Sequence, residues 1–250
     1  ASIYLESCRK NNTHSPNSLK AVSNKNKVLA EGGGSSTNTM EPQWQPVNWM
    51  RNLSSDFSMS QISMPGTHES AALYGWMTLG KCQDLSIKEQ LEIGVRYLDI
   101  RCKLIKEKAL LTLYHGMIDQ KMTFDEVLAI CNSFLQKNPS ETIVMKLKEE
   151  NGPKAGSPNF AEIVAQHFDK YDPDLFYRQR DPDLVIPKLK DTRGKILVLK
   201  KFEDPMHYVP VGITVKGGED NFTETINLSS EEKMVVQNTY KIWNNEQKAQ

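Results

Sequence analysis

The sequence has no excess of either charge. Its 250 residues carry 31 Lys and Arg against 31 Asp and Glu, a formal net charge of zero, so no overall field draws it to nucleic acid or an anionic bilayer, and no nucleic-acid partner is expected. Any charged ligand must be met by a local cluster. Cysteine is scarce, and Cys8, Cys82, Cys102 and Cys131 form no Cys-x-x-Cys pair, which argues against a zinc ribbon or a thioredoxin-type motif. No stretch approaches the ~18 consecutive apolar residues of a membrane span. The opening ASIYLESCRK also lacks the basic-then-apolar order of a signal peptide, so either the protein is intracellular or a signal has been removed. No period of roughly 20 to 50 residues recurs, against a solenoid or propeller. The glycines of EGGGSS follow no strand, so they make no nucleotide-binding loop.

What remains is the composition of an ordinary globular protein, 38% hydrophobic and 25% charged, with a length open to one long domain or two short ones. Only 12 of residues 1–43 are hydrophobic, and this part ends in EGGGSSTNT, so composition predicts a flexible tail over 1–43 and a folded domain over 44–250. In the second part short apolar runs alternate with helical stretches. Strands are expected at 60–64, 96–102, 110–115, 142–148 and 195–202. Thr123 and Glu126 make a capping box for a helix whose apolar stripe is Phe124, Val127, Leu128, Cys131, Phe134 and Leu135, ended by Asn138-Pro139. Further helices are expected at 159–170 and 230–244.

A period of two in RYLDIRC puts Tyr97, Asp99 and Arg101 on one face, and in TIVMKLK it groups Val144, Lys146 and Lys148. The 110–115 strand ends in His115, and His68 follows the first strand. Polar residues at the ends of several parallel strands are how a (β/α) barrel builds a site, so an α/β barrel is the expected architecture. Two histidines can serve as base and acid near neutral pH. Arg101 offers a permanent charge and paired donors for a phosphate, and the set suits phosphodiester cleavage. With Arg101 beside Asp99 and Lys148 on the next strand, fixed cations would supply the charge that a metal otherwise brings. An internal ion pair is the structural alternative for Asp99 and Arg101. His14, His167 and His207 have no companion motif and read as surface residues, and Cys82, Cys102 and Cys131 as packed thiols.

Five blocks in order, SMPGTHES, GVRYLDIRC, YHG, NPSETIVMKLKEE and DTRGKILVLKKF, resemble the bacterial-type phosphatidylinositol-specific phospholipase C family. The resemblance implies a distorted TIM-type barrel, no metal and no cofactor, and cleavage of phosphatidylinositol or of glycosylphosphatidylinositol anchors to diacylglycerol and inositol 1,2-cyclic phosphate. Residue by residue it makes His68 the general base and His115 the general acid. It has Arg101 stabilise the phosphoryl charge and Asp99 orient Arg101. Glu69 stands where the family has the aspartate that supports the acid histidine, and Lys148 matches an inositol-binding lysine. Lys201 replaces an arginine, and VVQNTYKIW sets Asn238 and Tyr240 where the family has an aspartate and a tyrosine of the inositol pocket.

The resemblance also places a membrane-touching helix near AALYGWMTLG, so Tyr74, Trp76 and Leu79 are expected at a phospholipid interface, with packing beneath the rim as the alternative. Sequons at Asn11, Asn52, Asn221 and Asn227 fit a secreted or surface location. Two rival functions stay open. One is a non-catalytic or weakly active inositol-lipid-binding barrel, which Glu69, Lys201 and Asn238 keep in play; the other is a metal-dependent glycerophosphodiester phosphodiesterase. The family continues for further strands, one with an aspartate that holds the base histidine, and no counterpart lies before Gln250. The last strands of the barrel are therefore expected to come from a second chain segment.

Overall fold

The computed structural model describes residues 2–7, 45–75, 80–151, 160–179, 186–215, 223–227 and 232–237. Its strands are β1 (Ser2–Ser7), β2 (Ser63–Thr67), β3 (Tyr97–Ile105), β4 (Leu110–His115), β5 (Ile118–Thr123), β6 (Ile143–Glu149), β7 (Ile196–Lys201), β8 (Ile213–Thr214), β9 (Thr223–Asn227) and β10 (Glu232–Gln237). The helices are α1 (Ile87–Glu92), α2 (Phe124–Lys137), α3 (Phe160–Phe168) and the short α4 (Leu189–Thr192). One sheet runs in the order β8-β7-β6-β3-β2-β1-β10-β9, and β4 and β5 branch from β3 as an antiparallel extension. Neighbours from β2 through β3, β6 and β7 to β8 are parallel. The fold is thus mixed α/β with a parallel centre of the TIM-barrel type. Among the described residues no ladder joins β8 to β9, and the sheet is open.

The two faces of the parallel strands follow from the period of two. Leu98, Ile100 and Cys102 with Ile143, Met145, Leu147, Ile196 and Val198 are buried against Phe124, Val127, Leu128, Cys131, Phe160 and Val164 of α2 and α3. All six stripe residues expected for α2 are buried, and Thr123 and Glu126 form the expected capping box. The opposite face is built in register layers. Tyr97, Val144 and Leu197 form an apolar floor with Met50, Met59 and Met64. Asp99, Lys146 and Leu199 lie one layer higher, and Arg101, Lys148 and Lys201 one layer above that. Polarity rises toward the carboxyl ends of the strands, so the inner face is core at one end and site at the other.

The foot of the sheet is held by a buried ion pair. Arg96 and Glu141, both fully buried, meet at 2.9 Å and stand immediately before β3 and two residues before β6. The remaining guanidinium donors go to the carbonyls of Leu91, Val95 and Val47 at 2.7–2.8 Å. Glu141 accepts from the Met50 amide and the Ser140 hydroxyl, and its carbonyl accepts from Gly194 N. One pair thereby ties β3, β6, the approach to β7 and the covering segment 46–52 together.

Four expectations change. The first strand begins at Ser63 rather than Ser60, because Ser58 caps a 3-10 turn, Met59–Gln61, and Gln61 closes the capping box. His115 ends β4, an antiparallel hairpin strand rather than a parallel barrel strand, since only two residues separate β4 from β5. Within the stretch expected as a tail, Ser2–Ser7 is a strand between β2 and β10, which satisfies the otherwise open ladder of β2; 8–43 lie outside the described residues. Where a helix was expected at 230–244, 232–237 form β10. EKMVVQ is rich in strand-favouring residues, and β1 and β9 offer partners on both sides.

Removing one partner of a buried pair strands the other charge in the core. Glu141→Gln is expected to lower the unfolding free energy by about 3–5 kcal/mol, measured by urea denaturation at neutral pH. A loss below about 1 kcal/mol would contradict this account of the foot of the sheet.

Candidate active site

The turn after β2 carries His68 and Glu69. Glu69 has φ of 47°, a left-handed conformation that costs a non-glycine residue energy. Asp99 holds the turn there: its carboxylate accepts from Glu69 N at 3.2 Å, and its carbonyl accepts from Ser70 N at 2.9 Å. In return Asp99 N donates to the Ser70 hydroxyl at 2.8 Å. Gln90 of α1 binds the same turn through the Thr67 hydroxyl and the Ser70 carbonyl. The strain is therefore over-determined by neighbours, which keeps both side chains pointed into the site.

Five side chains then form a continuous chain. His68 Nδ1 lies 3.5 Å from Asp99 Oδ2. The same oxygen accepts from Arg101 Nη2 at 2.9 Å, and Arg101 Nη1 pairs with Glu69 Oε1 at 2.6 Å. Glu69 Oε1 lies 3.9 Å from His115 Nε2. The order is His68, Asp99, Arg101, Glu69, His115, with a guanidinium in the middle and an imidazole at each end. Asp99, Arg101 and Glu69 are buried, whereas the side chains of His68 and His115 keep 12% and 31% of their surface exposed. The ends of the chain can thus meet a ligand while its middle stays out of water.

Burial would push the Asp99 carboxyl up, but Lys146, Arg101 and His68 together outweigh it and hold the group below the usual carboxylate range. The Cys82 sulfur is partly enclosed although the residue as a whole is exposed, and that desolvation, reinforced by Glu69, pushes the thiol up to about 11, so it stays protonated near neutral pH. Cys82 is exposed rather than packed, 3.7 Å from His115 Nδ1, whereas Cys102 and Cys131 are buried as expected. His115 Nδ1 lies 2.9 Å from the Gly80 carbonyl. A proton on Nδ1 can be donated there, and that bond fixes the ring with Nε2 toward Glu69. Gly80 has φ of 89°, a conformation that glycine adopts without strain and other residues do not, and a Cβ there would also displace the tip of Ile118.

All five residues expected to be catalytic come together. Lys148 and Lys201 are register neighbours of Arg101's layer, and Lys148 pairs with Glu150 at 3.6 Å. Asn238 and Tyr240 lie outside the described residues, as do Trp76 and Leu79. Tyr74 is exposed at the rim; its ring lies under Lys121 Nζ at 4.6 Å, and Gln120 binds its backbone at both ends. Sequence reasoning missed three participants. Lys146 reaches Asp99 Oδ1 at 3.4 Å, Glu150 accepts from Gly116 N beside His115, and Gly80 orients His115. The period of two already put Lys146 on the inner face, but Glu150 and Gly80 act through loop geometry that no periodicity encodes. His167 is buried rather than on the surface, bonded to Asp125 and edge-on to Phe124, away from this site. Among the described residues no group of three or more His, Cys, Asp or Glu is placed to hold a metal ion.

Solved structures to which the chain is similar include bacterial phospholipases. The phosphatidylinositol-specific phospholipase C from Listeria monocytogenes superposes with a TM-score of 0.55 at 35% identity, over 63% of this chain and 57% of that one. A mutant of the Staphylococcus aureus enzyme superposes with a TM-score of 0.62 at 26% identity, over 73% and 63%. Residues 59–202, more than half of the chain, match the family model for phosphatidylinositol-specific phospholipase C, X domain, and the chain belongs to that family. A relative in Listeria monocytogenes, 1-phosphatidylinositol phosphodiesterase, is 37% identical over 161 residues, 61% of this chain and 48% of the relative. Its Staphylococcus aureus counterpart is 29% identical over 168 residues, 62% and 51%. The chain spans about half the length of these relatives.

A carboxyl group held low in the fold binds fewer protons than in the unfolded chain, so its stabilisation is present above the unfolded pKa, ~3.9, and is lost as pH falls below it. Asp99→Asn is therefore expected to flatten the fall in stability between pH 5 and pH 2.5, read by urea unfolding at each pH. An unchanged acid slope would place the lost stability on other carboxylates.

Proposed function

We propose that the protein is a metal-independent phosphatidylinositol-specific phospholipase C. The observation that carries this reading is the chain His68, Asp99, Arg101, Glu69, His115, with its two imidazoles at the open ends. His68, with Nδ1 toward Asp99, takes the proton of the inositol 2-hydroxyl. The freed oxygen attacks its own neighbouring phosphorus, an intramolecular step whose nucleophile is already in place. The phosphorus–oxygen bond to diacylglycerol breaks, and His115 protonates the departing oxygen. Products are diacylglycerol and inositol 1,2-cyclic phosphate. Water can later open the cyclic ester with the two histidines in exchanged roles, which restores both.

Arg101 stabilises the charge that grows on the phosphoryl oxygens, as a preorganised donor that is itself held out of water. Asp99 orients Arg101 and His68, and Glu69 supports His115. Lys148, Lys201, Asn238 and Tyr240 bind the inositol ring, and lysine at 201 gives up the planar fork of an arginine. Tyr74, Trp76 and Leu79 meet the phospholipid surface, and exposed Met117, beside His115 on the β4–β5 turn, stands on the same rim. A secreted or surface-exposed protein would meet this substrate, and the edges at β8 and β9, unpaired among the described residues, would take a further segment. A metal-dependent phosphodiesterase is the less favoured reading, because Asp99 and Glu69 are already engaged by Arg101 and Lys146.

Release of cyclic inositol phosphate from phosphatidylinositol vesicles in the presence of chelator tests the proposal. His68→Ala and His115→Ala are each expected to lower release at least 10²-fold, the ordinary contribution of a positioned acid or base. Vesicle binding without release from the unmodified protein would favour a lipid-binding barrel, and release abolished by chelator would favour the metal-dependent enzyme. Vesicle binding is expected to weaken in Trp76→Ala and Leu79→Ala; unaltered binding would remove the interfacial role of this segment.

A further inference from the structure

We infer that Lys146 is a positioning residue that sets the proton affinity of His68 through their shared partner, Asp99. Lys146 is buried in the layer beneath Arg101, directly opposite Asp99 in the β3–β6 register, with Nζ 3.4 Å from Asp99 Oδ1. Asp99 Oδ2 is the oxygen that faces His68 at 3.5 Å. One carboxylate is thus divided, with Oδ1 toward the Lys146 ammonium and Oδ2 shared by the His68 imidazole, the Arg101 guanidinium and Glu69 N. The inference deepens the acid–base reading above and rests on its assignment of His68 as the base.

The charge count gives this arrangement its consequence. Buried Glu150 near His115 is paired separately with Lys148, and the buried charged groups joined to Asp99 are two anions, Asp99 and Glu69, and two cations, Arg101 and Lys146. They balance without a proton on either histidine. Deprive the cluster of Lys146 and it carries a net negative charge, which a proton on His68 would neutralise. The charged and titratable groups around Asp99 are Glu69 from the β2 turn, Tyr97 and Arg101 from β3, Lys146 from β6 and Cys82 from the loop before α1, while His115 from β4 meets the cluster through Glu69. Tyr97 is driven further from ionisation by burial and by Asp99, and the Cys82 thiol is raised to about 11, so neither supplies compensating charge near neutral pH. Lys146 therefore favours the neutral imidazole that a base requires, because a like charge nearby disfavours the protonated ring, and such neighbours move a pKa by about one unit or more.

The test is an NMR titration of the His68 ring, assigned by loss of its signal in His68→Ala. Lys146→Met and Lys146→Gln are expected to raise the His68 midpoint by about one pH unit, and Lys146→Arg to restore it. The acidic limb of the pH–kcat/KM profile for vesicle cleavage should move up by the same amount, which lowers the rate about tenfold below the limb. A His68 midpoint unchanged in both neutral variants would overturn the inference, even if they were less stable, because a purely structural lysine would lower stability without moving the midpoint. The titration needs no turnover. A moved midpoint in a protein that releases no cyclic phosphate would therefore support the role of Lys146 while failing the proposed activity.

Discussion

The foot of the sheet depends on one buried ion pair. A guanidinium and a carboxylate removed from water are tolerated only when nearly every donor and acceptor finds a partner, and Arg96 with Glu141 meets that demand by engaging Leu91, Val95, Val47, Met50 and Ser140. Because these partners come from α1, the segment before it and the starts of separate strands, satisfying the pair sets how β3 and β6 stand relative to each other. Arg193 adds to this by donating to the carbonyls of Met50, Ser140 and Leu53. Shear between the strands would unmake several of these bonds together, so the register of the layers above inherits its firmness from below.

That register matters because the layers are the site. Three residues of β3 alternate from floor to mouth, Tyr97, Asp99 and Arg101, and β6 answers with Val144, Lys146 and Lys148. A slip of one residue would turn Asp99 and Arg101 toward α2 and α3 and bring Leu98 and Ile100 inside. The strained turn at Glu69 is held by Asp99 itself, so one side chain links strand register, turn conformation and the balance of buried charge. The proposed phosphoryl chemistry uses the same economy. A fixed guanidinium stands where charge develops, and the groups that exchange protons remain at the exposed ends.

Much of this was legible in the residues, though not all of it for the same reason. The stripe of α2 and its Thr123–Glu126 cap are local, and both are read from spacing alone. The two faces of β3 and β6 follow from alternation. Short-range pattern fails where the partner is remote. Ser2–Ser7 runs into a polar stretch rich in Ser, Asn and Lys, and only pairing with β2 and β10 makes it a strand. EKMVVQ can be read as helix or strand until neighbours are supplied, and β1 and β9 decide it. His167 looked like a surface residue because the sequence cannot show that Asp125, at the start of α2, would fold onto it.

The sequence by itself determined which residue types were available for phosphodiester chemistry and on which face of each strand they lay, since side-chain alternation is a property of the extended backbone. Only the tertiary structure decided that His68 and His115, 47 positions apart, end one chain of charges through Asp99, Arg101 and Glu69. It also decided that Lys146 joins that chain from a neighbouring strand. Such contacts are set by strand order and register, and those depend on interactions between segments far apart in the chain, which no local pattern contains.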